Sequence, residues 1–134
     1  GEYPELKDWH DHLTTAFPEV RLKHYLEMRG ADSGSIEHLI ALPALWVGLL
    51  YDEQSLETIK ELTKSWTYQE IFNLYQQIPR NGINSVFKGL SLKLWLKSLL
   101  KISFEGLERR AFMNHQEKTE AVYLKPMIEK MELI

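Results

Sequence analysis

Hydrophobic and polar positions alternate along residues 17–29. Because successive side chains of a strand point to opposite faces, a period of two is typical of a β-strand with one face towards a core. The apolar face would carry Val20, Leu22, His24, Leu26 and Met28, and the polar face Arg21, Lys23, Tyr25, Glu27 and Arg29. We therefore predict one long strand over about residues 17–29, ended by the turn-forming residues 30–34, with His24 as a hydrogen-bonded core residue.

Most other apolar positions recur at the spacing of helices. A short amphipathic helix is predicted ahead of the strand, over residues 4–13. Thr67 and Glu70 have the spacing of a capping box, which satisfies free backbone groups where a helix begins. Pro43 predicts a kink or a restart within its helix, because proline lacks the backbone N–H. The helices predicted after the strand cover residues 36–51, 55–62, 68–78, 91–110 and 118–133, the last interrupted or entered near Pro126, with a loop at 79–82.

These elements predict an α+β fold that is mostly helical, with one long strand followed by a helical bundle. A single strand cannot satisfy its own backbone N–H and C=O groups. Its partner strands must therefore come from another chain or from a part of a larger protein. The two unpaired edges also invite self-association, in which this strand pairs with a second copy of the chain.

Composition narrows the class of protein. The 134 residues are 44% hydrophobic and 26% charged, which excludes a disordered chain. With a net charge of −3 we expect no nucleic-acid partner, and with no apolar run of roughly 18 residues we expect no membrane span. Cysteine is absent, which excludes disulfides and thiolate chemistry within the chain. Since the chain starts at Gly1 without a recognisable signal peptide, we expect a cytoplasmic location and a piece cut from a longer protein.

The polar face of the predicted strand is the main candidate for chemistry. Neighbours on one face of a strand lie about 6.7 Å apart, so Glu27 and Arg29 would project side by side. A carboxylate is a hard oxygen ligand that suits Mg²⁺, and a guanidinium pairs with phosphate or carboxylate oxygens. Together they could hold a metal–nucleotide from two sides. The alternative is a solvated sheet face with alternating charges, and the pattern leaves both interpretations open.

Histidine and lysine patterns indicate little further chemistry. His10 and His12 are two residues apart, which does not place them on one helix face, so no metal role is expected. Lys93, Lys97 and Lys101 form a stripe that could dock an anionic partner. We interpret that stripe as the solvent edge of a mostly buried helix. The sequence contains no glycine-rich phosphate loop and no zinc-protease motif.

Several stretches of the sequence resemble glutamate–cysteine ligases of the plant and proteobacterial type. Residues 12–32 read HLTTAFPEVRLKHYLEMRGAD, and this block is highly specific for the family. The likeness resumes in residues 41–52, ALPALWVGLLYD, and in residues 106–110, GLERR, and extends more loosely through residues 123–126. Residues 33–38 depart from the family pattern, because Glu37 and His38 replace a basic pair.

The resemblance implies a fold and an activity. Family members join the glutamate γ-carboxylate to the cysteine amine through an acyl phosphate, using ATP and Mg²⁺, in the first step of glutathione synthesis. Their antiparallel sheet is similar to that of glutamine synthetase, with helices behind it. Residues 1–134 would then be one C-terminal-half fragment of a larger catalytic domain, with a short helix and the active-site strand in 1–32 and the helical part in 33–134. The fragment alone is expected to be inactive, and its partners would be glutamate, cysteine, ATP and the remainder of the parent chain.

The resemblance also implies roles for the polar strand face. Glu27 would bind the metal ion, and Arg29 would be the catalytic cation near the transferred phosphoryl group. Arg21, Lys23 and Tyr25 would bind substrate or nucleotide. Two alternatives stay open: a helical interaction module that has lost the chemistry, and a related ligase that joins glutamate to a different amine.

Overall fold

The computed structural model describes residues 3–133, which are mostly helical with two small antiparallel sheets. The predicted α+β class with a majority of helix is thus confirmed. The chain divides into two compact units, Gly1–Ser33 and Gly34–Ile134. Within residues 3–133, every helix is too short or too polar to cross a membrane.

The first unit begins with helix α1, Leu6–Leu13. The backbone N–H of Glu5 donates to the Asp8 carboxylate at 2.7 Å, which satisfies a group at the start of the helix. At the end of α1, the hydroxyl groups of Thr14 and Thr15 donate back to carbonyls of the last turn, each at 2.7 Å. These bonds end the helix where the sequence pattern changes.

A β-hairpin follows α1, and the predicted single long strand is wrong. Strand β1, Val20–Leu22, pairs antiparallel with β2, Leu26–Met28, and the chain reverses at residues 23–25. Directly opposed residues of a hairpin lie on the same face. A three-residue connection therefore preserves the alternation, so the pattern of a hairpin is the same as that of one long strand. The connecting residues include no Gly or Asn that would mark the turn.

The apolar face of the hairpin is exposed, contrary to the prediction that it faces a core. Val20 is 49% exposed, Leu26 61% and Leu22 75%. His24 lies in the exposed connection, so it is not the predicted core histidine. Among residues 3–33 no side chain is fully buried.

Helices form most of the second unit. Four of them begin at a Ser, Thr or Asp side chain that accepts a hydrogen bond from the backbone N–H three residues on, which is the usual N-cap arrangement. The predicted capping box of Thr67 and Glu70 is confirmed. The bounds are Ile36–Leu50 (α2), Glu53–Thr63 (α3), Tyr68–Asn81 (α4), Leu92–Arg110 (α5) and Lys125–Leu133 (α6), with 3₁₀ turns at Gly82–Asn84 and Glu120–Leu124.

Three local features of this unit differ from the prediction. Pro43 lies inside one continuous helix, so α2 does not restart there. Helix α4 continues through Pro79 instead of giving way to a loop, because a proline in the last turn removes only one N–H bond. A second hairpin joins β3, Val86–Phe87, to β4, Leu90–Ser91. Its strands are too short for alternation to reveal them.

The core of the second unit lies where α2 and α5 pack together with the turn before α6. Gly48 and Gly106 allow the close approach: a side chain at Gly48 would overlap Ser103, and one at Gly106 would overlap the Gly48 carbonyl. The hydroxyl of Ser103 donates to the Leu45 carbonyl at 2.9 Å across this contact. The buried apolar members of the core are Ala41, Ala44, Leu100, Leu107, Ala121 and Leu124.

Candidate active site

The first hairpin brings Arg21, Glu27 and Arg29 together, and we call these three residues the charge cluster. Arg21 and Glu27 are opposed across the two strands, and Arg29 follows Glu27 by two positions. Arg21 reaches Oε2 of Glu27 with both Nε and Nη2 at 2.8 Å. Arg29 Nη1 reaches the same oxygen at 3.3 Å. The cluster therefore depends on the register of the hairpin.

The segment before the hairpin supports both arginines. Arg21 Nη1 donates to the Thr14 carbonyl at 3.0 Å. The guanidinium carbons of Arg21 and Arg29 lie 5.8 and 5.0 Å from the centre of the Phe17 ring, within the range of cation–π attraction. Sequence reasoning missed Phe17, since only the folded hairpin shows that this ring meets two cations.

The base of the hairpin is closed by Arg29, Glu19 and Gly30. The backbone N–H of Arg29 donates to the Glu19 carbonyl at 2.8 Å. A side chain at Gly30 would meet the Glu19 carboxylate, which lies at the end of a flexible side chain and can move aside, so this closure does not itself require glycine. These contacts place Arg29 at the end of the paired region, beside Glu27.

Glu27 carries a negative charge at neutral pH. Partial burial raises its pKa, but the hydrogen bonds from Arg21 and Arg29, together with the charges of Arg21 and Lys23, lower it more. The net result is a Glu27 pKa below the ordinary value for a glutamate. With one carboxylate and two guanidinium groups, the charge cluster has a net charge of about +1, which favours an anionic ligand.

Lys23 and Tyr25 lie in the connection between β1 and β2, not along a flat strand face as predicted. Both side chains are exposed, Tyr25 by 60%. The ammonium of Lys23 is close enough to contribute to the lowered pKa of Glu27. The structure thus brings Lys23 near the charge cluster and leaves Tyr25 at the tip of the hairpin.

The capacity of this site for a metal ion rests on one carboxylate. Among residues 3–133, no three side chains of the His, Asp or Glu type form a group that could hold a metal. The hydrogen bonds that the described residues make to the Glu27 side chain all reach Oε2. Oε1 can therefore serve as one hard oxygen ligand, and a complete site would need further ligands.

A second polar cluster joins helices α2, α3 and α5. Arg109 donates to Asp52 Oδ2 through Nη2 at 2.6 Å and through Nε at 3.1 Å, and its Nη2 also donates to the Ser55 hydroxyl at 3.0 Å. The same Asp52 oxygen accepts the backbone N–H of Ser55 at 2.9 Å and caps α3. The hydrogen bonds from Arg109 lower the pKa of Asp52 to about 2. This cluster links the stretches 41–52 and 106–110 of the family resemblance and has a structural role.

The lysine stripe of α5 lies beside an apolar groove between α5 and α6. Lys101 is exposed, whereas Lys93 and Lys97 are half-buried, so the stripe is only partly the solvent edge that we predicted. The groove has a volume of about 660 Å³. The positive and negative charges along its edges are equal in number, so the groove has no preference for an anionic partner. The charged lining residues are Lys97, Lys101, Lys125, Glu105, Glu129 and Glu132.

A family model matches almost the whole chain. The model of glutamate-cysteine ligase family 2 (GCS2) covers residues 1–133, which include the charge cluster and all the helices described above. The chain belongs to this family. The resemblance inferred from residues 12–32, 41–52 and 106–110 is therefore confirmed.

Several plant glutamate–cysteine ligases are similar to the chain over 112 residues. The glutamate–cysteine ligase of Nicotiana tabacum is 52% identical, that of Arabidopsis thaliana 52%, and ligase A of Oryza sativa subsp. indica 51%. Each match covers 84% of this chain, but only 22%, 22% and 23% of the respective relative. The chain thus spans less than a quarter of the length of the curated relatives it matches.

The names of these relatives correct one prediction. All three proteins are described as chloroplastic, which contradicts the predicted cytoplasmic location. That prediction is wrong because it relied on the absence of a signal peptide at Gly1. A sequence that matches less than a quarter of longer proteins carries no information about their leader segments.

Proposed function

We propose that this chain is part of an ATP-dependent ligase that joins the γ-carboxylate of glutamate to the amine of cysteine, the first step of glutathione synthesis. Membership of glutamate-cysteine ligase family 2 and the names of the plant relatives support this function. The observation that carries the proposal is the charge cluster, in which a polarised carboxylate and two guanidinium groups share one face of a hairpin.

The proposed reaction has two steps. The glutamate γ-carboxylate attacks the terminal phosphorus of ATP, which releases ADP and forms an acyl phosphate. The cysteine amine then attacks the acyl carbon, inorganic phosphate leaves, and the nitrogen loses a proton. Positioning and charge neutralisation carry most of a phosphoryl transfer, so the protein needs fixed cations more than a nucleophile. Arg29 would contact the transferred phosphoryl group.

Glu27 would hold Mg²⁺ through Oε1, the oxygen that the two arginines leave open. When bound, the ion would neutralise charge on the phosphate oxygens. A lowered pKa keeps Glu27 ionised, as a hard cation requires. Lys23 and Tyr25 would bind nucleotide or substrate from the exposed connection, with an ammonium and a phenol available to anionic and polar groups.

We propose that the hairpin is part of a larger antiparallel sheet similar to that of glutamine synthetase. Two three-residue strands form a marginal hairpin, and each has an outer edge available for pairing. The exposed apolar face, with Leu22 and Leu26, would gain a hydrophobic cover in such a sheet. The remainder of the parent chain is the proposed partner, and self-association through a hairpin edge is the second candidate.

The alternatives are distinguished by the charge cluster. An interaction module without chemistry has no need for a carboxylate whose Oε2 is bound by two arginines while Oε1 stays open. A ligase for a different amine would use the same cluster, so a test should offer other amines besides cysteine.

The test is Glu27→Gln in a full-length ligase that carries this segment. The substitution keeps the shape but removes the charge, so ATP-dependent formation of γ-glutamylcysteine should fall about 10²- to 10³-fold and recover only partly at high Mg²⁺. Product formation is measured by mass spectrometry with cysteine and with other amines. The matched control, Glu57→Gln on α3, changes a carboxylate that is 63% exposed and should alter activity less than about twofold. If Glu27→Gln behaves like this control, the proposed active site is wrong.

A further inference from the structure

The contacts of Arg21 differ from those expected of a ligand-binding arginine. Nε and Nη2 both bind Glu27, Nη1 donates to the Thr14 carbonyl at 3.0 Å, and its side chain is only 12% exposed. Each guanidinium nitrogen of Arg21 thus has a partner within the first unit. A bound phosphate or carboxylate would have to displace one of these partners.

Arg29 is held differently. It reaches Glu27 with one nitrogen at the longer distance of 3.3 Å, and its side chain is 29% exposed. Its guanidinium carbon lies 5.0 Å from the Phe17 ring centre, a contact that still allows a ligand at the outer edge. Of the two arginines, Arg29 is therefore the one whose contacts leave room for an anion.

From this division we infer that Arg21 is a positioning residue, which acts on the reaction by fixing the Glu27 carboxylate and not by touching nucleotide or substrate. The inference rests on the proposed function and refines the earlier expectation that Arg21 binds a ligand. Two donors on one oxygen restrict the rotation of the Glu27 carboxylate, so Oε1 is held in one direction. Removal of a residue that hydrogen-bonds to a metal ligand typically lowers metal affinity or activity about 10- to 100-fold.

Arg21→Lys tests the inference in the full-length ligase, because lysine keeps the charge but cannot place two donors on one oxygen. The first readout is the affinity for Mn²⁺ in the absence of substrates, measured by electron paramagnetic resonance. We expect it to fall about 10-fold or more. The matched control is Arg80→Lys, an exposed arginine at the end of α4, for which the Mn²⁺ affinity should stay within about twofold. An unchanged Mn²⁺ affinity in Arg21→Lys overturns the inference.

The second readout is a double-mutant cycle with Glu27→Gln. If Arg21 acts through Glu27, then Arg21→Lys should lower kcat/KM about 10-fold or more in the wild-type background and less than about twofold once Glu27 is already Gln. If Arg21→Lys lowers kcat/KM by the same factor in both backgrounds, the inference is wrong. The thermal midpoint of Arg21→Lys should stay close to the wild-type value, and a clear loss of thermal stability that accompanies the loss of activity would mean a purely structural role.

The outcomes separate this inference from the proposed function. If Glu27→Gln leaves activity intact, the proposed active site itself fails. If Glu27→Gln lowers activity about 10²- to 10³-fold while the cycle with Arg21 is additive, the active site stands and only the positioning role of Arg21 is wrong.

Discussion

Glu27 receives two guanidinium groups on a single carboxylate oxygen, and this asymmetry governs what each residue of the charge cluster can do. Oε2 is occupied by Arg21 and Arg29, so Oε1 remains the oxygen for further contacts. Arg21 is enclosed by its partners, while Arg29 is the more accessible cation. The different roles that we propose for Arg21 and Arg29 therefore rest on their burial and partners, since both carry the same guanidinium group on one face.

Arg29→Lys should separate turnover from nucleotide binding in the full-length ligase. Lysine keeps the positive charge but loses the planar fork that fits a phosphoryl group. Loss of one such preorganised contact costs about 10²- to 10³-fold in rate, so kcat should fall more than KM for ATP rises. Steady-state kinetics with varied ATP provide the measurement, and Arg80→Lys on α4 is the matched control. A kcat within twofold of wild type would argue against direct contact of Arg29 with the reacting group.

At the scale of elements, the helices of the second unit are held by a polar link as well as by their apolar core. Asp52 caps α3 and also binds Arg109 on α5, while Ser55 donates to the Ile102 carbonyl at 3.1 Å. Two stretches that are distant in sequence therefore meet through one carboxylate. Periodicity predicted α2, α3 and α5, but no periodic signal reports an ion pair between residues 57 positions apart.

Asp52 should make the stability of the chain depend on pH in acid. Its pKa of about 2 in the folded state lies below its ordinary value of 3.8, so its contribution is fully present above about pH 4 and is lost as the pH falls towards 2. Asp52→Asn keeps a good N-cap residue but removes the charge. Because the partner Arg109 is about one-third exposed, we expect a loss of only about 1 to 2 kcal/mol at pH 7, less than the full pKa shift implies.

Denaturant unfolding of wild type and Asp52→Asn at pH 7, 4 and 2.5 measures this dependence. The difference in the free energy of unfolding should shrink as the pH is lowered, since wild type loses the charge that the variant already lacks. Asp32→Asn, at an exposed carboxylate in the first unit, serves as control. A difference that stays constant from pH 7 to pH 2.5 would contradict the assigned role of the Asp52–Arg109 pair.

On the scale of the whole molecule, the chain contains only part of what a ligase needs. Within residues 3–133 no group of three metal-binding side chains occurs, and the matched relatives are more than four times as long as the matched segment. The exposed apolar face of the first hairpin is consistent with a unit that is completed by other parts of a larger protein. The ligase activity that we propose would therefore belong to the longer protein of which we propose this chain is a part.

The isolated 134-residue chain should show no ligase activity. One carboxylate and two arginines cannot by themselves bind the metal, the nucleotide and both other substrates that the proposed reaction requires. The measurement is phosphate release that depends on both ATP and glutamate, with a full-length family member as the positive control. Release above background by the purified chain would overturn this prediction.

The sequence by itself determined the family and the helical majority, because these depend on a specific motif in residues 12–32 and on local spacing. It predicted Arg21, Glu27 and Arg29 as candidate site residues but did not indicate Phe17. It could not distinguish one strand from a hairpin, since a three-residue reversal preserves the alternation of faces. Only the tertiary structure decided that Arg21 faces Glu27 across two strands, that Phe17 contacts both arginines, and that Asp52 meets Arg109. Each of these contacts forms because the chain reverses or because helices pack together. Hydrophobic periodicity reports only local structure, so it does not indicate such contacts.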